Sequence, residues 1–262
     1  MSTYLELNNS MIKNRRYILT TLLPMHLALS LLIFSSLTWT HAIYFLIGYI
    51  LIHGLGVNVG LHRWASHKAV ELNEIAKPFV VYLSIIACQG QPMWWAAVHR
   101  GYHHRKCDSL EDQHSPIHLG KFHAFIGWIL KHDPASINFK YSANLAREPW
   151  IAKTHKYYEI IIWTTWIIAG LISLDLLLWM FIIPTVFGLH SEGLINAFCH
   201  GKHGYTNYAT TDQSRNVHLL GYFAWGNGWH NNHHFNQSRY NFGGIKWWEY
   251  DPCMIFLPFI KK

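Results

Sequence analysis

Two long stretches of this 262-residue chain contain neither lysine nor arginine: Tyr17 through His62 and Tyr157 through Gly201. All 21 basic residues therefore fall in an N-terminal arm, a middle segment and a C-terminal segment. The basic-free stretches are also apolar, and each divides into two runs near the length of a bilayer-crossing helix, about 20 residues. The runs cover residues 17–39 and 42–61, linked at Thr40 and His41, and residues 156–174 and 176–197, turning near Asp175. Two such hairpins place the three basic segments on one face of a membrane, and the positive-inside rule makes that face cytoplasmic, both termini included.

The expected fold is all-α and integral to a membrane: four transmembrane helices in two hairpins, in a single domain over residues 1–262. Residues 62–155 and 198–262 are expected to form a helical cytoplasmic cap. A further apolar stretch, Pro78 to Val98, is interrupted by Gln89-Gly90-Gln91-Pro92. A full crossing there would put the histidines on its two sides on opposite faces, so the expectation is a shallow helix lying in, or dipping into, the cytoplasmic interface. Composition agrees: hydrophobic residues make up 51% and charged residues 13%, the latter about half the share of a soluble domain. The net charge of +7 is accounted for by basic residues beside anionic headgroups, with no need for nucleic acid. No small-residue cleavage site follows the first run, which reads as an uncleaved anchor. Cys88, Cys107, Cys199 and Cys253 form no C-x-x-C pair and are expected to be free thiols in a reducing compartment.

Twenty histidines are present, and many are clustered. The first cluster, His62 to His67, directly follows the second apolar run. The second runs from His99 through His103 and His104, the third from His230 through His233 and His234. On a helix, residues three or four apart share a face, so His99 with His103, and His230 with His233 and His234, are expected to point together. His62 and His67 are five apart and diverge on a regular helix, but they can converge where a helix ends. Imidazole suits iron, copper, zinc and nickel. Eight or more imidazoles are too many for one ion, and the missing cysteine clusters argue against iron–sulfur and structural zinc. Iron that activates O₂ fits a membrane setting and an apolar substrate; zinc stays open on ligand chemistry alone. His26, His41, His53 and His132 read as interfacial polar residues. Trp64, Trp94, Trp95, Trp225 and Trp229 are candidates to line a channel entrance. Arg63, Arg100, Arg105, Lys106 and Arg239 are candidates to meet an acyl carrier headgroup or an acidic electron donor, although a solvated face is the plainer reading of each.

The three clusters, H-x4-H, H-x3-H-H and H-x2-H-H, resemble the histidine boxes of membrane fatty acid desaturases. Gly226-Asn227-Gly228-Trp229 before the third box, Asp212-Gln213-Ser214-Arg215-Asn216, His114-Ser115-Pro116 and Trp247-Trp248-Glu249-Tyr250-Asp251-Pro252 are similar to segments of the bacterial acyl-CoA and acyl-lipid branch. Asn196-Ala197-Phe198-Cys199-His200 resembles the Asn-x3-His of stearoyl-CoA delta-9 desaturases, with His203 second in rank for that role. The chain departs from the family in a second box one residue longer than many, and in Asn227 where Glu is common.

The resemblance implies a di-iron enzyme of a bacterial inner membrane. Two Fe(2+) ions are held by His62, His67, His99, His103, His104, His200, His230, His233 and His234, with Asn196 reaching one through water. O₂ is co-substrate and a cis double bond enters an acyl thioester or lipid. Neither a cytochrome b5-like His-Pro-Gly-Gly segment nor a dinucleotide fingerprint is present, so the expected electron source is a separate ferredoxin, rubredoxin or cytochrome b5 type protein. A hydroxylase, decarbonylase or acetylenase on the same scaffold is the nearest alternative. A metal transporter is disfavoured, because the clusters flank the spans instead of lining them.

Overall fold

Apolar runs of this length have no aqueous partner and bury their backbone polarity in helices. The computed structural model describes residues 14–262; Lys13 and the rest of the N-terminal arm lie outside the described residues. Helices α1 (Arg15–Phe34) and α2 (Trp39–Ser66) form the first hairpin. Thr38 starts α2 with a capping box: its hydroxyl accepts from the His41 N–H, and its own N–H donates to His41 Nδ1 at 3.1 Å. From Tyr49 to Ser66 the helix is π-helical. Three side chains there return to the carbonyl five residues back: Asn58 to His53 at 3.0 Å, Arg63 to Asn58 at 2.9 Å and Ser66 to Leu61 at 2.8 Å. The expected second span ended at residue 61, but α2 runs on through Ser66 and carries most of the first histidine cluster within it.

The stretch from Pro78 to Val98 forms two helices, α3 (Ala76–Ile86) and α4 (Pro92–Val98), with α4 continuing as π-helix over His99–His104. Eleven residues of α3 extend about 16 Å at 1.5 Å per residue, roughly half a bilayer core. The chain then turns, with positive φ at Cys88 and Gly90. α3 does not lie free at an interface: Val80, Val81, Leu83, Ile85 and Ile86 are buried against α2. Gly56 permits this, since a Cβ there would stand 2.6 Å from the Leu83 carbonyl oxygen. Ser84 Oγ donates to the Gly56 carbonyl at 2.8 Å, a small-residue contact of the kind that brings membrane helices close.

The second hairpin comprises α5 (Tyr158–Ile172) and α6 (Leu176–Phe198). Among the described residues three helices, α1, α2 and α6, are long and apolar enough to cross a membrane. α5 is shorter: its 15 residues reach about 22 Å. The two hairpin turns meet, with Ser35 donating to Asp175 at 2.7 Å, Trp179 donating to Ser35 at 2.9 Å, and His41 stacked on Trp179 and 3.2 Å from Asp175. A continuous apolar core, with Leu61, Val80, Ile162 and Leu178 among its members, packs between the helices.

The C-terminal segment is less helical than expected. It holds α7 (His218–Phe223), α8 (His230–Phe235) and short turns, while residues 199–217 and 236–251 are irregular. Polar side chains replace helical bonds there: Asn216 Oδ1 accepts from the N–H groups of Asn231 and Asn232, and Asn232 Nδ2 donates to Phe242 O and Glu249. Arg63 ties this segment to α2. It is fully buried, 2.7 Å from Asp251, 3.8 Å above the Phe242 ring, and donates to Tyr240 O. It therefore does not belong to a headgroup-binding surface. Arg100 is likewise spent on the carbonyls of Ala65, Ser66 and Tyr141.

Gly56→Ala is expected to lower stability by about 1–3 kcal/mol through overpacking, measured by thermal or denaturant unfolding in detergent. Unchanged stability would mean that α2 and α3 do not pack in this register.

Candidate metal centre

Histidines five apart fall on one face only where the helix is π-wound, and both pairs with that spacing in the clusters, His62 with His67 and His99 with His104, sit in or at such a segment. The His67 N–H donates to the His62 carbonyl at 3.1 Å, and His99 and His104 span the π-turn after α4. His233 comes from α8. The five Nε2 atoms follow one another closely: His62 to His233 2.9 Å, His233 to His104 3.0 Å, His104 to His99 3.0 Å and His99 to His67 2.8 Å. One nitrogen from each can be chosen so that all lie within 4.8 Å of one another.

A second group is made by His103, His200, His230 and His234. Nε2 atoms lie 3.0 Å apart between His200 and His230 and 3.2 Å apart between His103 and His234. Asn196 lines a cavity that His103 and His230 also line. The structure thus collects the nine histidines into groups of five and four, with Asn196 nearby. The sorting differs from helix-face spacing: His99 and His103 part company, and His233 leaves His230 and His234. His203 stays outside, beside Lys121. His26, His41, His53 and His132 also stand outside both groups, next to His190, Asp175, Glu192 and Trp94 respectively.

Behind the group of four stand carboxylates, of which only Asp212 falls in a segment the resemblance singled out, while Asp108 and Asp112 carry no obvious signal in sequence. His103 Nδ1 faces Asp112 at 3.1 Å, His200 Nδ1 faces Asp108 at 3.2 Å and His234 Nδ1 faces Asp212 at 2.9 Å. His230 Nδ1 faces the Asn227 carbonyl at 3.2 Å. Burial opposes ionisation of these acids, yet His200, the Gln213 N–H and Ser115 hold Asp108 down at about 2. Against the same burial, His103 and His114 hold Asp112 well below the carboxylate range, and His234 and Ser214 do so for Asp212. Burial pushes His99, His104, His230 and His233 well below the imidazole range, which leaves the neutral rings that ligate metals. Cys107 Sγ is 3.8 Å from Nδ1 of both His200 and His234, behind the rings and away from the converging Nε2 atoms. Burial pushes its thiol up, against a thiolate ligand.

This arrangement fits metal ions. Each Nδ1 partner in the group of four is an acceptor, so the proton resides on Nδ1 and Nε2 carries a bare lone pair. Bare lone pairs about 3 Å apart repel unless a cation lies between them, and at a metal–nitrogen bond of about 2.1 Å ligands at right angles are separated by that distance. Carboxylate–histidine–metal relays are the usual outer partners of such ligands.

A cavity of about 590 Å³ adjoins both groups, lined by His62, His99, His103 and His230, within the size range of small-ligand sites, about 300–1,000 Å³. Trp94 and Trp95 line it and Trp128 joins them, whereas Trp64 and Trp229 are core and Trp225 packs against Tyr49 and Phe256. Its far end reaches Arg16, Lys156 and Glu159.

Comparison with known proteins gives a concordant result. The family model described as fatty acid desaturase matches residues 35–255. The chain is 32% identical over 224 residues to the sn-1 stearoyl-lipid 9-desaturase of Anabaena variabilis, covering 83% of this chain and 79% of that one. It is 31% identical over 234 residues to delta-9 acyl-lipid desaturase 2 of Arabidopsis thaliana, covering 86% and 72% respectively. It is 33% identical over 205 residues to the icosanoyl-CoA 5-desaturase of Limnanthes douglasii, covering 75% of this chain and 56% of that longer one.

Asp112→Asn and Asp212→Asn are each expected to weaken metal binding about 10–100-fold, measured by chelator competition with elemental analysis. Wild-type affinity in both would mean that these carboxylates do not act on ligands.

Proposed function

The chain belongs to the fatty acid desaturase family, oxidoreductases, and on that premise we propose that it is an O₂-dependent di-iron desaturase placing a cis double bond in an acyl chain. The observation that carries this reading is the pair of imidazole groups facing one cavity. The reaction consumes one –CH₂–CH₂– unit, O₂, two electrons and two protons, and yields –CH=CH– and two waters. Bound by the group of five and by the group of four with Asn196, two ferrous ions would supply the O₂ reduction, with two electrons from a separate donor protein and two from the acyl chain.

The protein's own part is positional. Acceptors behind His103, His200, His230 and His234, and the Asn227 amide behind His62, keep the protons of those rings on the outer side, so that their lone pairs face inward. Trp94, Trp95, Val98, Leu189 and Ile195 line the cavity, keep water from the reacting methylenes and select which carbons lie beside the metal groups. The cavity's outer end, at Arg16 and Lys156, suits the carrier end of an acyl-CoA, an acyl-ACP or an acyl-lipid. The ferredoxin, rubredoxin and cytochrome b5 types all meet the need for a one-electron donor.

For topology we read α5 as a fourth crossing completed by the residues before it, in a single domain through the chain. The histidine groups lie at the end of the spans opposite the hairpin turns. We read the protein as one of a bacterial inner membrane, with termini and site on the cytoplasmic face that the basic segments favour.

Expression in a host lacking the activity is expected to give a new cis-monounsaturated acyl chain, read by mass spectrometry, and His230→Ala or His103→Ala to abolish it. A product that gains oxygen instead of losing two hydrogens would replace desaturase with hydroxylase. Undiminished product in both mutants would sink the ligand assignment.

A further inference from the structure

The two histidine groups are supported unequally. The group of four has three carboxylates directly on its rings. Among the described residues, no carboxylate is hydrogen-bonded to a ring of the group of five. His104 and His233 have Nδ1 atoms without a partner, and His62 Nδ1 meets the Asn227 amide, Oδ1 at 2.8 Å. An amide can present either its oxygen or its NH₂, and the two choices have opposite consequences. With the oxygen inward, His62 keeps its proton on Nδ1 and turns a lone pair on Nε2 toward His233. With the NH₂ inward, the proton moves to Nε2 and blocks the metal position.

Glu192 decides the choice. Asn227 Nδ2 lies 3.0 Å from both carboxylate oxygens of Glu192, which only accept, so the amide oxygen has to face His62. Glu192 is itself held from α2, 2.8 Å from His53 Nε2 and within 3.5 Å of Asn58 Nδ2. His53 is fully buried. An acid and a histidine paired inside membrane helices are costly and are kept where they serve a site. This pair lies one amide away from a ligand ring.

We infer that Glu192 is the positioning residue of the five-histidine metal site, acting through Asn227 to hold His62 in its ligating tautomer; the inference rests on the metal reading above. The Glu192 side chain is hydrogen-bonded to His53, Asn58 and Asn227 and to none of the nine histidines of the two groups. Its carboxylate acts as the distant member of a carboxylate–amide–histidine chain, where the group of four uses carboxylates directly.

The test uses the full chain, purified in detergent and loaded with ferrous iron. Glu192→Gln preserves shape but offers an NH₂ of its own, so the Asn227 amide loses its fixed direction. The expected result is that one of the two ions is held about 10–100-fold more weakly by chelator competition, while the other is held as in wild type. In metal-free protein, ¹⁵N NMR of His62 is expected to show the Nε2–H tautomer appearing. The exchange variant Glu192→Gln with Asn227→Glu sets a carboxylate directly on His62 Nδ1 and is expected to restore both ions. Two ions held alike in Glu192→Gln, with the His62 tautomer unchanged, would overturn the inference. A weakening that the exchange variant leaves unrepaired would overturn it too, since Glu192 would then be a packing residue. Wild-type protein that takes up no iron would overturn the metal reading itself, an outcome distinct from two ions held equally in every variant.

Discussion

Nine imidazole rings turn their Nε2 atoms toward one another at separations of 2.8–3.2 Å along each linked pair, and most of the rest of the molecule keeps them there. Rings with free rotation would swing apart or share protons. Here acceptors behind the rings pin many of the protons outward: Asp108, Asp112 and Asp212 for one group, the Asn227 amide for a ring of the other. The arrangement is unfavourable by itself and would become favourable with cations between the rings, which would couple metal binding to folding of this region. The irregular loops of the C-terminal segment serve the same end. Asn207, Asn216, Asn232 and Glu249 knit them to α8, and the buried Arg63–Asp251 pair fastens them to α2.

Much of this was legible in the chain itself. The apolar runs, free of lysine and arginine, foretold α1, α2 and α6, and imidazole chemistry with box spacing singled out the histidines that gather. What spacing hid was their sorting. It assumes 3.6 residues per turn, under which His99 and His103 share a face; the π-wound turn instead pairs His99 with His104 and sends His103 to the other group. Arg63 sits beside His62 and reads as part of a basic surface, because nothing local announces that Asp251, almost two hundred positions later, will cover it. Glu192 was not singled out by the sequence, since its partners His53 and Asn227 come from distant elements. Local pattern encodes which groups can act; which groups meet depends on long-range packing.

The spans are not uniformly apolar. At the turn end, Ser35, Asp175, His41 and Trp179 bond to one another. At the other end, His53, Asn58 and Glu192 carry polarity up to the edge of the histidine groups. Beside the second of these lies the greasy packing of α2 against α3, made close by Gly56. Much of the polar chemistry on the spans is thus gathered where side chains bond to one another.

The π-winding of α2 bears on how such a chain can change over evolutionary time. A wide helix whose converging histidines are five positions apart tolerates replacement of residues but not a change in their number: one residue lost between His62 and His67 would rotate one imidazole off the shared face. The connections before and after, such as the one between α2 and α3, face no such arithmetic. Length variation among descendants should therefore accumulate in those connections before it reaches the five-residue step from His62 to His67, a slow-moving clock in the lineage.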